Sequence, residues 1–111
     1  MTKRIALLTV ACLLTAASSA LADDDLKRGE QLLHQKCGPC HATAKTGDSP
    51  RKDAPAFRTL GQRYPIDSLE ESLGEGIMSG HPDMPEFSFD ADDVGAIIAY
   101  LNSIQQPPPK K

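Results

Sequence analysis

The run Cys37-Gly38-Pro39-Cys40-His41 constrains this chain more than any other stretch. Two thiols three positions apart, followed directly by an imidazole, form the attachment pattern of a c-type haem. Each sulfur can add across one of the two vinyl groups, and one helical turn sets the sulfurs at about the required separation. The histidine then lies under the iron. Cys37 and Cys40 are therefore candidate covalent anchors, and His41 is a candidate iron ligand. Cys-Gly-Pro-Cys also occurs in thioredoxin-type sites, where a low-pKa thiolate attacks disulfides. Such a site follows a buried strand inside a βαβ unit. Here the preceding residues, Leu26 to Lys36, are polar, helix-patterned and free of β-branched side chains, and the chain has no Trp. The context favours haem.

A chain of 111 residues allows one domain. Lys3 and Arg4 precede an apolar run from Ile5 to Ala17, followed by small residues ending in Ala20-Leu21-Ala22. This order reads as a secretory signal peptide over residues 1–22, cut between Ala22 and Asp23. The run falls short of the roughly 20 residues a bilayer needs, and a retained membrane anchor is the alternative. Cys12 lies in the run and would be discarded with it, leaving Cys37 and Cys40 in an oxidising compartment. The domain is then 23–106, and 107–111 form a Pro/Lys tail. The mature part loses two of the 12 Lys and Arg and none of the 15 Asp and Glu, so its net charge moves from −3 to −5. That balance excludes a strongly basic nucleic-acid surface. So short a chain, with 9 Pro and 8 Gly, buries a modest core by itself. A covalent haem would supply a large apolar centre.

The remaining pattern is helical. Leu26, Gly29 and Leu33 share one face of a helix over about Asp25–Lys36, with His34 beside it as a solvated residue. Gly29 is costly in a helix interior unless something packs closely on it. Residues 42–54 are turn-forming, and Pro55 opens a short helical stretch over Ala56–Leu60. Asp67 with Glu70 suggests a capping box before a face of Ile66, Leu69, Leu73 and Ile77. Asp90 is a good N-cap for the clearest helix, whose face is Val94, Ile97, Ile98, Leu101 and Ile104, ended by Pro107-Pro108-Pro109. Phe89 and Val94 are placed as a hydrophobic staple. No repeat and no convincing strand are visible, so the expected fold is all-α, with about four short helices.

With these elements placed, residues 25–105 resemble the class I cytochromes c of the small bacterial type. The markers stand in that family's order: Gly29 and Leu33, then Cys37-x-x-Cys40-His41, Ala54-Pro55-Ala56-Phe57, Met84-Pro85 in a loop from Gly80 to Phe87, and Ala99-Tyr100-Leu101 in the last helix. The resemblance implies that the helices wrap one haem and that the first and last helices cross at Gly29 and Tyr100. It also implies that the Pro55 carbonyl accepts the Nδ1 proton of His41 and that Met84 is the distal iron ligand. Pro82 and Pro85 restrain Met84 in a loop, which suits a ligand, whereas Met78 reads as core filler and His81 is a rival ligand.

The function expected is that of a periplasmic monohaem carrier of single electrons, or an electron-accepting subunit of a periplasmic oxidoreductase, rather than an enzyme. Its partners would be redox proteins: a dehydrogenase, a reductase or a terminal oxidase. Two other classes remain: a ligand-binding or sensing haem protein with an open sixth position, and a thiol–disulfide oxidoreductase using Cys37 and Cys40.

Overall fold

The computed structural model describes residues 2–77 and 81–111, with side chains from Ser19 onward. Met78, Gly80 and the Cys12 side chain therefore lie outside the described residues. The elements are α1 (Thr2–Lys36), two 3-10 helices (Phe57–Gln62 and Ile66–Leu69), α2 (Glu70–Glu75) and α3 (Ala91–Ile104). The protein is all-α; among the described residues the β pairing is a single antiparallel bridge between Ile77 and Phe87. None of the described helices is long and apolar enough to cross a membrane. Helix α1 runs without a break across Ala22 and Asp23. From Ser19 onward, its first side chain to meet the core is Leu26, while Leu21 stays 68% exposed.

α3 forms where the sequence places it. The Asp90 carboxylate accepts from the Asp93 backbone N–H at 2.9 Å, satisfying an orphan donor of the first turn. Val94, Ile97, Leu101 and Ile104 recur at helical spacing and are buried, with Ile97 fully so. Removing an aliphatic side chain of this size from water contributes about 1.5–3 kcal/mol. The principal partner of this face is α1. Leu33 of α1 is buried in the same cluster, and Leu26 and Leu32 pack at its edge. Phe89 and Val94 both join that cluster, as the staple requires.

The crossing of α1 and α3 is made possible by Gly29. A Cβ there would fall inside contact distance of the Ala96 carbonyl oxygen and lie 2.8 Å from Tyr100 Cβ. The helix backbones thus approach more closely than any larger residue permits. Tyr100 covers this point, and its hydroxyl donates to the buried Thr43 carbonyl at 2.9 Å. Arg28 pairs with Asp93 at the rim of the same contact.

The middle of the chain is tighter than its hydrophobic pattern suggests. The stretch Ala56–Leu60, expected to be helical, is 3-10 over Phe57–Gln62. Asp67 does not cap a helix; its carboxylate accepts from Asn102 Nδ2 at 2.9 Å, tying the second 3-10 helix to α3. α2 enters from Leu69, which already has αR geometry, so no side-chain cap forms. Ile77 lies beyond α2 and donates its N–H to the Phe87 carbonyl at 2.9 Å instead of extending the helical face. The end of α3 holds the first 3-10 helix through Gln105, which accepts from the Gly61 N–H and donates to the Phe57 carbonyl.

Two variants test the crossing. Gly29→Ala should destabilise the protein by about 3 kcal/mol, because the obstacle is backbone rather than a movable side chain. Tyr100→Phe should cost about 1 kcal/mol by leaving the buried Thr43 carbonyl without its donor. Burial, with Glu30 adding to it, pushes the Tyr100 phenol above its ordinary value. Its stabilisation is therefore full below the ordinary tyrosine pKa of about 10 and is lost as pH rises through the raised value. Urea unfolding at pH 7 and above pH 10 would measure these effects, and equal stability of Gly29→Ala and wild type would refute the close crossing.

Candidate haem site

α1 delivers the cysteine motif directly. The Cys37 and Gly38 N–H groups both donate to the Leu33 carbonyl, at 2.8 and 3.0 Å, which closes the helix. Cys40 N–H and His41 N–H then donate to the Cys37 carbonyl at 3.1 and 2.9 Å. The motif is thus a hydrogen-bonded turn that continues the helix. Gly38 is required because a Cβ there would run into the His34 carbonyl oxygen. Pro39 occupies the position in the turn whose N–H would have no role.

Both thiols are half-buried and free, not joined to each other. Burial pushes the Cys37 thiol up to about 11, with the neighbouring Cys40 adding to the effect. An attacking thiol in an exchange enzyme needs its pKa lowered, commonly by a helix N-terminus or a nearby cation. Cys37 lies at a helix C-terminus, where the dipole has the opposite sign. The geometry therefore disfavours thiol–disulfide exchange.

His41 is fixed on two sides. Its Nδ1 lies 2.8 Å from the Pro55 carbonyl oxygen, which can only accept, so Nδ1 carries the proton and Nε2 keeps its lone pair for a metal. The Phe57 ring sits against the imidazole at a centroid distance of 4.7 Å and a tilt of 31°. The intervening loop is tied back by Ala42 N–H donating to Ser49 Oγ, Arg51 N–H to the Cys40 carbonyl, and Phe57 N–H to the Ala42 carbonyl. His34 is exposed on α1.

Met84 is half-buried in a turn whose N–H donates to the His81 carbonyl at 3.1 Å. This segment is bound to the loop after His41 by charge. Arg51 bonds Asp53 and Asp83, each at 2.8 Å, and His81 Nε2 lies 3.1 Å from Asp53. Arg51 holds the Asp53 carboxyl below its ordinary range, chiefly through their hydrogen bond. His81, a rival ligand in the sequence, is exposed and paired with Asp53. This network has no signal in the sequence, since its members are 28 and 32 positions apart.

The chemistry of this donor set fits haem c. Two adjacent thiols face vinyl addition, and an imidazole in the correct tautomer follows them. One further feature points the same way. Arg58 Nη1 is buried without a hydrogen-bond partner among the described residues. Nothing marks it in the sequence beyond a charge inside the otherwise apolar run Ala54 to Leu60.

If Arg51 tethers the Met84 segment, Arg51→Ala should leave the core intact and speed amide hydrogen exchange at Asp83 and Met84. High salt should produce the same change in wild type, because these pairs are exposed and screened. Unchanged exchange in both conditions would rule out the tether.

Comparison with known proteins agrees with this geometry. Residues 24–101 match the family model described as "Cytochrome C oxidase, cbb3-type, subunit III". Cytochrome c-552 of Bradyrhizobium diazoefficiens is 32% identical over 91 residues, covering 82% of this chain and 85% of that protein. No solved structure matches the chain significantly. With the attachment turn, the oriented histidine and the close helix crossing all present, the chain belongs to the c-type cytochromes, in the family of that cbb3-type subunit III domain.

Proposed function

We propose that this electron-transfer cytochrome is a periplasmic carrier whose haem iron is held between His41 and Met84. The observation that carries the reading is the hydrogen bond between His41 Nδ1 and the Pro55 carbonyl, immediately after the Cys37–Cys40 turn. When bound, haem c supplies an iron that gains and loses one electron.

The chain's own residues do the rest. Cys37 and Cys40 hold the porphyrin through two thioethers at the end of α1. Pro55 keeps the proton on Nδ1, which raises the basicity of Nε2 and fixes the ring plane. Phe57 blocks rotation of that ring and keeps water from one side of it. Met84 offers a soft thioether, which favours ferrous iron relative to a second imidazole, and filling both axial positions leaves no site for a substrate. Pro82 and Pro85 reduce the entropy lost when the sulfur is held in place.

The charged start, short apolar run and Ala20-Leu21-Ala22 support export with removal of residues 1–22. The core contacts of α1 from Leu26 onward fit that reading, since the segment Asp23–Lys36 alone would carry them. The family description names a subunit of a terminal oxidase, and we extend it to this chain as a class of partner: a periplasmic dehydrogenase, reductase or terminal oxidase.

Charge supports docking to such a partner. Between Lys45 and Arg63 five cationic residues face two carboxylates, whereas from Tyr64 to Pro109 there are nine carboxylates and no Lys or Arg. The rate of electron exchange with the physiological partner should change steeply with ionic strength, since steering fades beyond a Debye length of about 10 Å at 0.1 M. A rate flat across salt would show that these are merely solvated faces.

Met84→Ala decides the ligation. The oxidised wild type should show the weak far-red sulfur-to-iron band, and the variant should lose it, bind carbon monoxide when reduced and have a lower potential. Haem should remain with the polypeptide through denaturation and acid-acetone extraction in both proteins. A far-red band that survives in Met84→Ala, or is missing from wild type, would reject Met84 as ligand; extractable haem would reject the thioethers.

A further inference from the structure

The one buried polar side-chain atom without a partner among the described residues is Nη1 of Arg58. A guanidinium is always charged, and a buried N–H of a charged group left unbonded costs several times what a neutral one does. Such a group persists where something absent from the polypeptide itself completes it.

The surroundings limit what that partner is. Arg58 lies one residue beyond Phe57, the ring against His41, and three beyond Pro55, whose carbonyl holds His41 Nδ1. Its backbone is fixed: the Arg58 carbonyl accepts from Gln106 N–H at 2.8 Å, and Thr59 Oγ1 donates to the Ala56 carbonyl at 2.8 Å. The guanidinium is therefore carried on a rigid 3-10 turn and cannot swing away with its loop. Arg58 also lines an open cavity of about 480 Å³ together with Pro55, Ala56, Lys52 and Asp48. Asp48 is the only carboxylate on that wall. It is exposed on the loop and, among the described residues, makes no ion pair with Arg58. The partner must be an anion of planar, forked geometry that arrives on the Pro55 side of the imidazole.

We infer that Arg58 Nη1 donates to a propionate carboxylate of the haem, making Arg58 the residue that orients the porphyrin edge and offsets its charge, with Lys52 adding a second cation on the same wall. The inference rests on the covalent haem held at Cys37 and Cys40. A guanidinium and a carboxylate can form two parallel hydrogen bonds, and burial strengthens them by excluding water. Two thioethers fix one edge of the ring, and this contact fixes the opposite edge, so the plane is set from both sides. With the guanidinium gone, the propionate charge is less compensated, ferric iron is favoured and the potential falls.

The test uses the full-length holoprotein with Arg58→Gln and Arg58→Lys. Resonance Raman spectroscopy reads the propionate bending mode, which responds to hydrogen bonds at the carboxylate, and electrochemistry reads the potential. In Arg58→Gln the mode should shift and the potential should fall. In Arg58→Lys the charge is kept and the fork is lost, so the mode should still shift while the potential stays close to wild type. A purely structural arginine would lower stability in both variants and leave the mode in place. If Arg58→Gln fails to retain haem, the mode in Arg58→Lys decides the same question. A propionate mode unmoved in the variants, with haem covalently bound and the far-red band intact, overturns the inference. Haem that extracts from wild type would instead fail the covalent reading on which it rests.

Discussion

The contact on which the structure depends is the approach of two backbones at Gly29. Helices pack at a separation set by the side chains between them, usually 8–10 Å. With no Cβ at Gly29, the α3 backbone at Ala96 lies against α1 itself. That proximity lets Leu33, Ile97 and Leu101 close over a small core without long connecting elements. It also sets the direction in which α1 leaves the crossing. Two turns beyond Gly29 the same helix reaches Cys37, so the angle of the crossing aims the attachment turn.

From that turn onward, each functional group is held by one placed before it. The Cys37 carbonyl takes both the Cys40 and His41 N–H groups, so the two sulfurs and the imidazole share a single local frame. The His41 ring is then oriented by Pro55, and Pro55 is positioned because Phe57 N–H returns to the Ala42 carbonyl next to His41. Gln105 and Gln106 at the end of α3 fasten the 3-10 turn bearing Phe57 and Arg58. The last helix therefore braces the proximal side twice, at Gly29 and again at its C-terminus. A small chain with few apolar residues gains its rigidity through such closed circuits rather than through core volume.

Much of this is legible in the sequence, for physical reasons that differ between elements. The Cys37–His41 spacing is local chemistry, and Asp90 with the Val94–Ile104 face is local propensity and period, so both can be read from neighbours in the chain. The Gly29–Tyr100 contact and the His41–Pro55 bond are implied by resemblance and are present in the fold. Asp67 reads wrongly as a cap because a cap and a tertiary hydrogen bond use the same carboxylate, and Asn102, 35 positions away, takes it. Ile77 reads as part of a helical face because period alone cannot show that the chain has already turned to meet Phe87. Thr43, Gln105 and Gln106 carry no signal at all. They are ordinary polar residues whose roles come from partners 44 to 61 positions distant.

The two faces of the proposed iron site are restrained to different degrees, and the difference bears on function. His41 is held by a turn hydrogen-bonded at both residues, by a carbonyl on its ring and by an aromatic neighbour, all joined to the core. The Met84 segment meets the rest of the molecule through the Ile77–Phe87 bridge and through exposed charge pairs of Arg51 and His81. Exposed pairs contribute little each and are screened by salt, whereas the packed proximal side is not. Local opening follows the element with the fewest buried contacts. The distal loop should therefore be the first part of the site to yield under heat, denaturant or a competing ligand, while the haem remains anchored at Cys37 and Cys40. In a carrier, that order is protective. The attachment and the proximal ligand outlast a transient loss of the distal one, and the loop can close again without the haem having left.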